Sequence, residues 1–280
     1  MLPSEAGQSD PLAVLAAQSL NLHQAVMRAN TEALWVGVAR DTAAARVQDL
    51  TTRIAELSAT AFDLAGRNMP TTELELLRTQ AVADLEQARL DDASLELRLA
   101  SARNVVDGEE TSYVASRKAL AGAVARLAGL DASRLDSMWA TTLAARLDVV
   151  LAALSQVGDP YVFGATGPET FDCSGLTGFA WQAAGVTLPH YTVTQRTSTL
   201  DVAEAALRPG DLVFNLDGPN GGHVMMFLGL GHAVVEARQP GTTVSVSTWR
   251  AVTGFGSPIL DDDATGTVGE ALQVTANPRA

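Results

Sequence analysis

The 280-residue chain is poor in cysteine, aromatic residues and positive charge, and each shortage excludes something. Its single cysteine, Cys173, cannot form an intrachain disulfide and cannot by itself build a thiolate metal site. Aromatic residues make up only 5% of the chain and hydrophobic residues 47%, so the core must consist mainly of alanine, leucine and valine. The net charge is −13 and the sequence shows no basic patch, so we expect neither nucleic acid nor an anionic membrane as a partner.

Long apolar segments are also missing. Residues 1–10 have neither a basic region nor an apolar run, and therefore do not resemble a secretory signal. No later stretch approaches the roughly 20 apolar residues that cross a bilayer, so we expect no transmembrane segment. Three explanations for the lack of a signal-like N-terminus stay open. The protein remains inside the cell, it leaves by a route that does not read a signal peptide, or its signal has been trimmed.

The first half of the chain has a helical pattern. Residues 8–156 carry stripes of leucine and alanine at helical spacing, which predict an all-α bundle of long antiparallel helices. Residues 66–71 and Asp107-Gly108 are predicted breaks between helices, and the final helix is predicted over 133–155. The stripes indicate a bundle core rather than a cofactor site.

The second half has a different pattern. Residues 157–260 are predicted to form an α+β domain, in which one helix over 173–184 packs on an antiparallel sheet. Residues 261–280 are polar and acidic and are predicted to be a flexible tail. Short apolar runs between turn residues predict these strands: 212–214, 223–228, 233–237, 244–247 and 255–260.

The single cysteine lies where this predicted helix begins. Asp172 is a good N-cap and Gly185 a good stop, which places Cys173 in the first turn. Unpaired backbone N–H groups and the positive end of the helix dipole lower the pKa of a thiol there, and the thiolate is the reactive form. The alternative is a small, inert core residue.

A predicted hairpin brings one histidine opposite a carboxylate. If Gly229-Leu230 forms a two-residue hairpin loop, counting outward places His223 directly opposite Glu236. The carboxylate would accept one imidazole N–H and leave the other ring nitrogen for Cys173, which is the arrangement of nucleophile, base and orienting group. The alternative is an ordinary ion pair between two strands.

The remaining histidines show no such partner in the sequence. We assign no catalytic role to His23, His190 or His232. No metal site is expected either, because the histidines lack ligand spacing and there is no second thiol.

Residues 159–258 resemble the NlpC/p60 family of papain-like cell-wall endopeptidases. The matching segments occur in the family's order over about 100 residues. They are Tyr161-Val162-Phe163-Gly164, Gly167-Pro168, Phe171-Asp172-Cys173-Ser174-Gly175-Leu176, Ala184-Gly185-Val186-Thr187-Leu188-Pro189, Thr194-Gln195, Leu207-Arg208-Pro209-Gly210-Asp211-Leu212-Val213-Phe214, Gly222-His223-Val224 and Glu236-Ala237.

The resemblance implies a papain-like cysteine peptidase that needs no metal or organic cofactor. Cys173 would be the nucleophile, His223 the general base and Glu236 the third polar residue. Substrates in this family are typically peptidoglycan stem peptides, commonly cut between D-γ-glutamyl and the diamino acid. The resemblance also implies a set of residues that line the cleft or contact the substrate: Tyr161, Asp172 and Ser174. Backbone N–H groups near the nucleophile would hold the oxyanion.

The loop between His223 and Glu236 departs from the family. Residues 229–232 carry one residue more than is usual there. If a bulge shifts the register by one, Val235 would face His223 and could not orient it.

The helical half has a second resemblance, based on fewer residues. Trp35-Val36-Gly37 lies near a predicted junction of two helices, as in the WXG-type helical hairpins exported by type VII secretion. This implies a secretion-system partner and a secreted or wall-associated protein without a signal peptide, although the tyrosine-based export signal is absent. The alternatives are a bundle that spaces, docks or shields the catalytic domain, and a lysin carried by a phage virion.

Two other functions remain compatible with the residues. A related Cys/His fold would act as an amidase or acyltransferase and cut a different bond. A non-catalytic chain would use the bundle as a scaffold or secretion-partner surface.

Overall fold

The computed structural model describes residues 10–217 and 222–258. Two long helices, α1 (Pro11–Gly66) and α2 (Thr72–Ala128), come first. The Asp10 carboxylate accepts the Leu12 N–H at 2.8 Å and caps α1 just before Pro11, a residue favoured in the first helical turn. The predicted break at 66–71 is confirmed, since α1 ends at Gly66 and α2 begins at Thr72.

Two other predicted interruptions are wrong. α2 continues through Asp107-Gly108, because a single helical glycine costs only about 1 kcal/mol, which long flanking helices outweigh. α1 likewise continues through Trp35-Val36-Gly37, so no junction of two helices lies there. A Cβ on Gly37 would be 3.9 Å from Leu99 Cδ1, which places this glycine where α1 faces α2.

The contacts divide the chain into two compact units, and the division does not follow the predicted boundary at residue 156. One unit is the hairpin Leu22–Tyr113. In it, α1 and α2 are antiparallel: Leu50 packs with Leu85 and Ala88. The other unit combines the described residues up to Asn21 with the described residues from Val114 onward.

The second unit includes two short helices that the sequence assigned to the bundle as one helix. They are α3 (Ala132–Ala140) and α4 (Ala144–Leu154). Trp139 of α3 donates its indole N–H to the Leu228 carbonyl at 2.7 Å. Arg146 of α4 is buried and donates to Asp211 Oδ1 at 2.8 Å. These contacts attach both helices to the sheet, so the predicted boundary separates two sequence patterns but not two compact units.

In the described part of the chain, six strands form one antiparallel sheet in the order β1-β6-β2-β3-β4-β5. The strands are β1 (Leu200–Asp201), β2 (Leu212–Asn215), β3 (His223–Phe227), β4 (Ala233–Glu236), β5 (Ser245–Thr248) and β6 (Gly254–Ser257). Helices α5 (Cys173–Gln182) and α6 (Thr192–Thr197) precede the sheet, and a 3₁₀ turn spans Glu204–Ala206. β1 and α6 were not predicted.

The predicted fold class is confirmed: long helices precede an α+β domain with a helix packed on an antiparallel sheet. Leu176 and Trp181 of α5 are fully buried. One sheet cluster is built from Val213, Met225, Phe227, Val234 and Trp249. Among the described residues, none of the helices has both the length and the hydropathy required to span a bilayer. The predicted tail, 261–280, lies outside the described residues.

Candidate active site

Cys173 is the first residue of α5, as its sequence context predicts. The Asp172 carboxylate caps the helix, since its Oδ1 accepts the Gly175 N–H at 2.7 Å. Gly175 is required there, because a Cβ would lie 2.1 Å from the Ala165 carbonyl oxygen. The absence of a side chain lets the loop before α5 approach the first turn of the helix, next to the thiol.

His223 begins β3, and its imidazole Nε2 lies 2.6 Å from Glu236 Oε2. Gly222 allows the chain to make the turn that leads into β3. It has φ of 85°, and a Cβ on it would approach the Asn215 carbonyl oxygen to 2.5 Å. The predicted contact between His223 and Glu236 is therefore present.

The predicted register behind that contact is wrong. β3 and β4 pair Met226 with Val235 and Phe227 with Val234, two residues away from the predicted register. Residues 229–232 form the connection, not a two-residue loop, and the Leu228 N–H bonds to the Ala233 carbonyl at 3.0 Å. The shift by one residue that would have brought Val235 opposite the histidine does not occur.

The contact survives because side chains alternate between faces with a period of two residues. A shift of two residues keeps His223 and Glu236 on the same face and changes them from direct opposites to diagonal neighbours. Diagonal pairs are roughly 7–8 Å apart at the backbone, which long side chains can bridge.

The charges of the thiol, the imidazole and the carboxylate support one another. Burial raises the pKa of the Cys173 thiol, but hydrogen bonds with His223 and Thr192 and the charge of His223 outweigh burial and hold that pKa below its usual value. Burial lowers the pKa of His223, whereas hydrogen bonds and the negative charges of Cys173 and Glu236 raise it to about 9. Both shifts favour the charged forms, the thiolate of Cys173 and the imidazolium of His223.

The orienting carboxylate has a second partner that the sequence analysis missed. Burial raises the pKa of Glu236, but hydrogen bonds from His223 and Ser247 outweigh it and keep the group ionised. Ser247 of β5 donates its hydroxyl to Glu236 Oε1 at 2.5 Å. β4 and β5 pair Glu236 with Ser245, so Ser247 is also a diagonal neighbour. A serine in a strand gives no local signal of this contact.

A second histidine–carboxylate pair lines the same cleft, and the sequence analysis missed it too. His190 Nε2 lies 3.1 and 3.0 Å from the two carboxylate oxygens of Asp172. The Asp172 carboxylate also accepts the Gly164 N–H at 2.9 Å and the Ser174 hydroxyl at 3.1 Å. His190 was assigned no catalytic role because the sequence shows no partner for it, and the structure supplies one in Asp172. No local pattern links two residues that meet only through the fold.

The other predicted substrate-contact residues lie close to the thiol. Burial raises the pKa of Tyr161, and the negative charges of Cys173 and Asp172 raise it further. Ser174 is buried, and its hydroxyl is used by Asp172. Thr192, which was not predicted, has its hydroxyl oxygen 3.6 Å from Cys173 Sγ.

All six predicted site residues line one open cleft of about 1480 Å³. His190 and Thr192 line it as well. The last residues of α2 and the turn after it, 126–129, form part of its wall, so the cleft extends beyond the predicted α+β domain.

The remaining histidines lie elsewhere. His23 stacks on Tyr113 with ring centroids 4.8 Å apart. His232 stacks on Trp249 at 4.6 Å, and its Nε2 lies 3.3 Å from Glu204 Oε1. The sequence shows no partner for His232, and the carboxylate partner that the structure supplies, Glu204, does not line the cleft.

The comparison with protein families decides what the second half of the chain is. The model of the NlpC/P60 family matches residues 158–253. These residues form an NlpC/P60 domain. The matched region contains Cys173, His223 and Glu236, and ends before β6.

Relatives with similar domains are named as endopeptidases. The chain is 33% identical over 133 residues to a probable endopeptidase of Corynebacterium glutamicum, which covers 48% of this chain and 62% of that protein. It is 36% identical over 92 residues to the probable endopeptidase p60 of Listeria grayi, covering 33% of this chain and 18% of that protein. The chain thus spans about a fifth of the length of p60 and less than two thirds of the Corynebacterium protein.

A solved structure is similar to part of the chain. The P60 domain of antigen MAP1204 from M. avium subspecies paratuberculosis is 31% identical, with a TM-score of 0.37. The alignment covers 42% of this chain and 96% of that domain.

Proposed function

We propose that the NlpC/P60 domain is a cysteine peptidase that hydrolyses peptidoglycan stem peptides. The observation that carries this proposal is that Cys173, His223 and Glu236 line one open cleft, with His223 Nε2 2.6 Å from Glu236 Oε2. The interaction of the thiol with His223 also lowers the pKa of Cys173. The relatives named as probable endopeptidases support the reaction class. The resemblance of the site motifs to cell-wall endopeptidases supports the substrate.

The geometry fits a two-step hydrolysis. The Cys173 thiolate attacks the scissile carbonyl carbon, and the oxyanion forms beside the N–H groups at the start of α5. The His223 imidazolium then gives its proton to the leaving amine as the C–N bond breaks, which leaves a thioester. Water attacks the thioester and gives a proton to His223. The acid product leaves, and the sulfur returns to the thiolate beside the imidazolium.

The three residues of this mechanism have separate roles. Cys173 forms the covalent bond and His223 moves the proton. Glu236 contacts only the imidazole, so it acts as a positioning residue that fixes the tautomer and stabilises the charged ring. We propose that Tyr161 and the first turn of α5 hold the substrate, and that the bond cut lies between D-γ-glutamyl and the diamino acid. Action on the wall requires export, and the type VII route stays a prediction.

Digestion of defined stem peptides by the full chain tests this proposal. The wild-type protein should release fragments that begin with the free amine of the diamino acid, identified by mass spectrometry. Cys173→Ala should release none while keeping the wild-type circular dichroism spectrum. Cleavage that persists in this variant overturns the cysteine mechanism. Release of an intact stem peptide from the glycan, instead of internal cleavage, would indicate an amidase.

A further inference from the structure

The NlpC/P60 domain has few cationic side chains, and their placement is uneven. Eight carboxylates lie in residues 158–253. The lysine and arginine residues of the same region are Arg196, Arg208, Arg238 and Arg250. A domain with this excess of acid has little positive charge to attract an anion, so the location of each arginine matters.

Two of these arginines have partners within the domain. Arg196 forms an ion pair with Asp201, and its guanidinium lies over the Phe214 ring at 5.7 Å. Arg208 donates to Ser257 Oγ at 3.2 Å. Both are therefore used in holding the structure together.

The other two arginines both line the catalytic cleft. Arg238 follows β4 and Arg250 follows β5, and both are exposed. Neither guanidinium forms an ion pair or a hydrogen bond with another of the described residues. A third arginine, Arg126, lines the same cleft from the last turn of α2, outside the family region. All three belong to one compact unit.

The carboxylates of the cleft are buried and already have histidine partners, although the charge of Arg238 also helps to lower the pKa of Glu236. Asp172 and Glu236 are each 6% exposed, and each is paired with a histidine. Among the described residues that line the cleft, the exposed arginine, lysine, aspartate and glutamate side chains are therefore all arginines, although the whole chain carries a net charge of −13. A cleft that is lined by charges of one sign attracts and concentrates ligands of the opposite charge.

The proposed substrate carries matching charges. A γ-linked glutamyl residue has its α-carboxylate free, one residue position from the bond that breaks, and a diamino acid with a second carboxyl group adds another. We infer that this cleft selects stem peptides whose carboxylates are free over the same peptides with those groups amidated, and that Arg126, Arg238 and Arg250 are the anion contacts. The inference deepens the proposed function and rests on it.

A binding measurement separates the inference from the chemistry. The full-length Cys173→Ala protein is titrated with two fluorescent stem peptides, identical except that one has its free carboxylates converted to amides. We expect the carboxylate form to bind about tenfold more tightly, with an affinity that falls as salt is raised. In the Cys173→Ala background, each of Arg126→Gln, Arg238→Gln and Arg250→Gln should weaken binding of that form by about twofold, and the triple variant should remove the preference.

Arg53→Gln is the matched control. Arg53 is exposed on α1 and does not line the cleft, so its loss should leave both affinities unchanged. Equal binding of the two peptides, absence of binding by both, or a preference that survives in the triple variant would each overturn the inference. If the preference is present in Cys173→Ala but the wild-type protein cuts neither peptide, the proposed function fails while the anion selectivity stands.

Discussion

The cleft contains two pairs of histidine and carboxylate that use similar atoms for different purposes. His223 and Glu236 meet between two strands, with Nε2 and Oε2 2.6 Å apart. His190 and Asp172 meet at the start of α5, with Nε2 3.0 and 3.1 Å from the two carboxylate oxygens. Both carboxylates are buried. The short distance alone does not tell which pair carries out proton transfer.

The other partners of each pair make the distinction. The Glu236 carboxylate is held by Ser247 and His223, and His223 also interacts with the thiol. The Asp172 carboxylate instead accepts backbone N–H groups from two segments as well as the Ser174 hydroxyl. It therefore ties the loop before α5 to the helix start. In the proposed mechanism, the same residue types thus serve proton transfer in one pair and positioning in the other.

The largest expected effect comes from exchanging each histidine for glutamine. His223→Gln removes the group that donates and accepts the proton, so kcat should fall by at least about 100-fold, because general acid–base catalysis contributes about 10²–10⁴-fold. His190→Gln should lower kcat by less than about tenfold. Steady-state kinetics on a stem peptide measures both. Equal losses of kcat in His223→Gln and His190→Gln would contradict the assignment of proton transfer to the His223 pair alone.

The next effect tests the carboxylate that positions the imidazole. Glu236→Gln removes the charge that holds His223, and hydrogen bonds to charged groups contribute about 1.5–3 kcal/mol, so kcat should fall by about 10- to 150-fold. Ser247→Ala leaves the contact between Glu236 and His223 in place, so kcat should fall by less than in Glu236→Gln. If Glu236→Gln keeps wild-type kcat, the carboxylate is not an orienting group.

Much of this site could be predicted from the sequence, although the prediction of Glu236 depended on a wrong register. Cys173 at a helix start follows from the capping residue before it, which is a local signal. Glu236 was found from a two-residue loop that does not exist, and the contact is present only because a register shift of two residues preserves the face.

The site contacts that the sequence did not predict depend on tertiary structure. His190 and Asp172 are separated by a helix and a loop, and Ser247 reaches Glu236 from a third strand. The predicted break at Asp107-Gly108 failed for the opposite reason, since a local glycine signal was outweighed by the long helix on both sides. The arginines of the cleft also come from three separate segments, so a sequence without a basic patch still forms a cationic surface.

A pH profile sharpens the comparison further. The pKa of His223 is raised to about 9 from its model-peptide value of about 6.5, so the imidazolium stabilises the folded protein below pH 6.5 and this contribution is lost as the pH rises through 9. Activity should follow, with kcat/KM falling about tenfold per pH unit above about 9 as the proton donor is lost.

Glu236→Gln is the informative variant for this profile. Removing a negative charge beside the imidazole lowers the pKa of His223, so the alkaline limb should move to lower pH. His190→Gln should leave that limb in place, since His190 pairs with Asp172. A wild-type limb near pH 6.5 would contradict the coupling between His223 and its two anionic neighbours.

The smallest expected effect concerns stability and separates the two roles of Asp172. Asp172→Ala removes the helix cap and should lower the free energy of unfolding by about 0.5–2 kcal/mol, measured by urea denaturation. Asp172→Asn keeps a good capping residue and should restore most of that loss, although it removes the negative charge beside His190. Asparagine has one acceptor oxygen, so it can accept the Gly175 N–H but not the Gly164 N–H as well. If the asparagine variant is as unstable as the alanine variant, the contacts of the second carboxylate oxygen with Gly164 and His190, and not the cap, hold the start of α5.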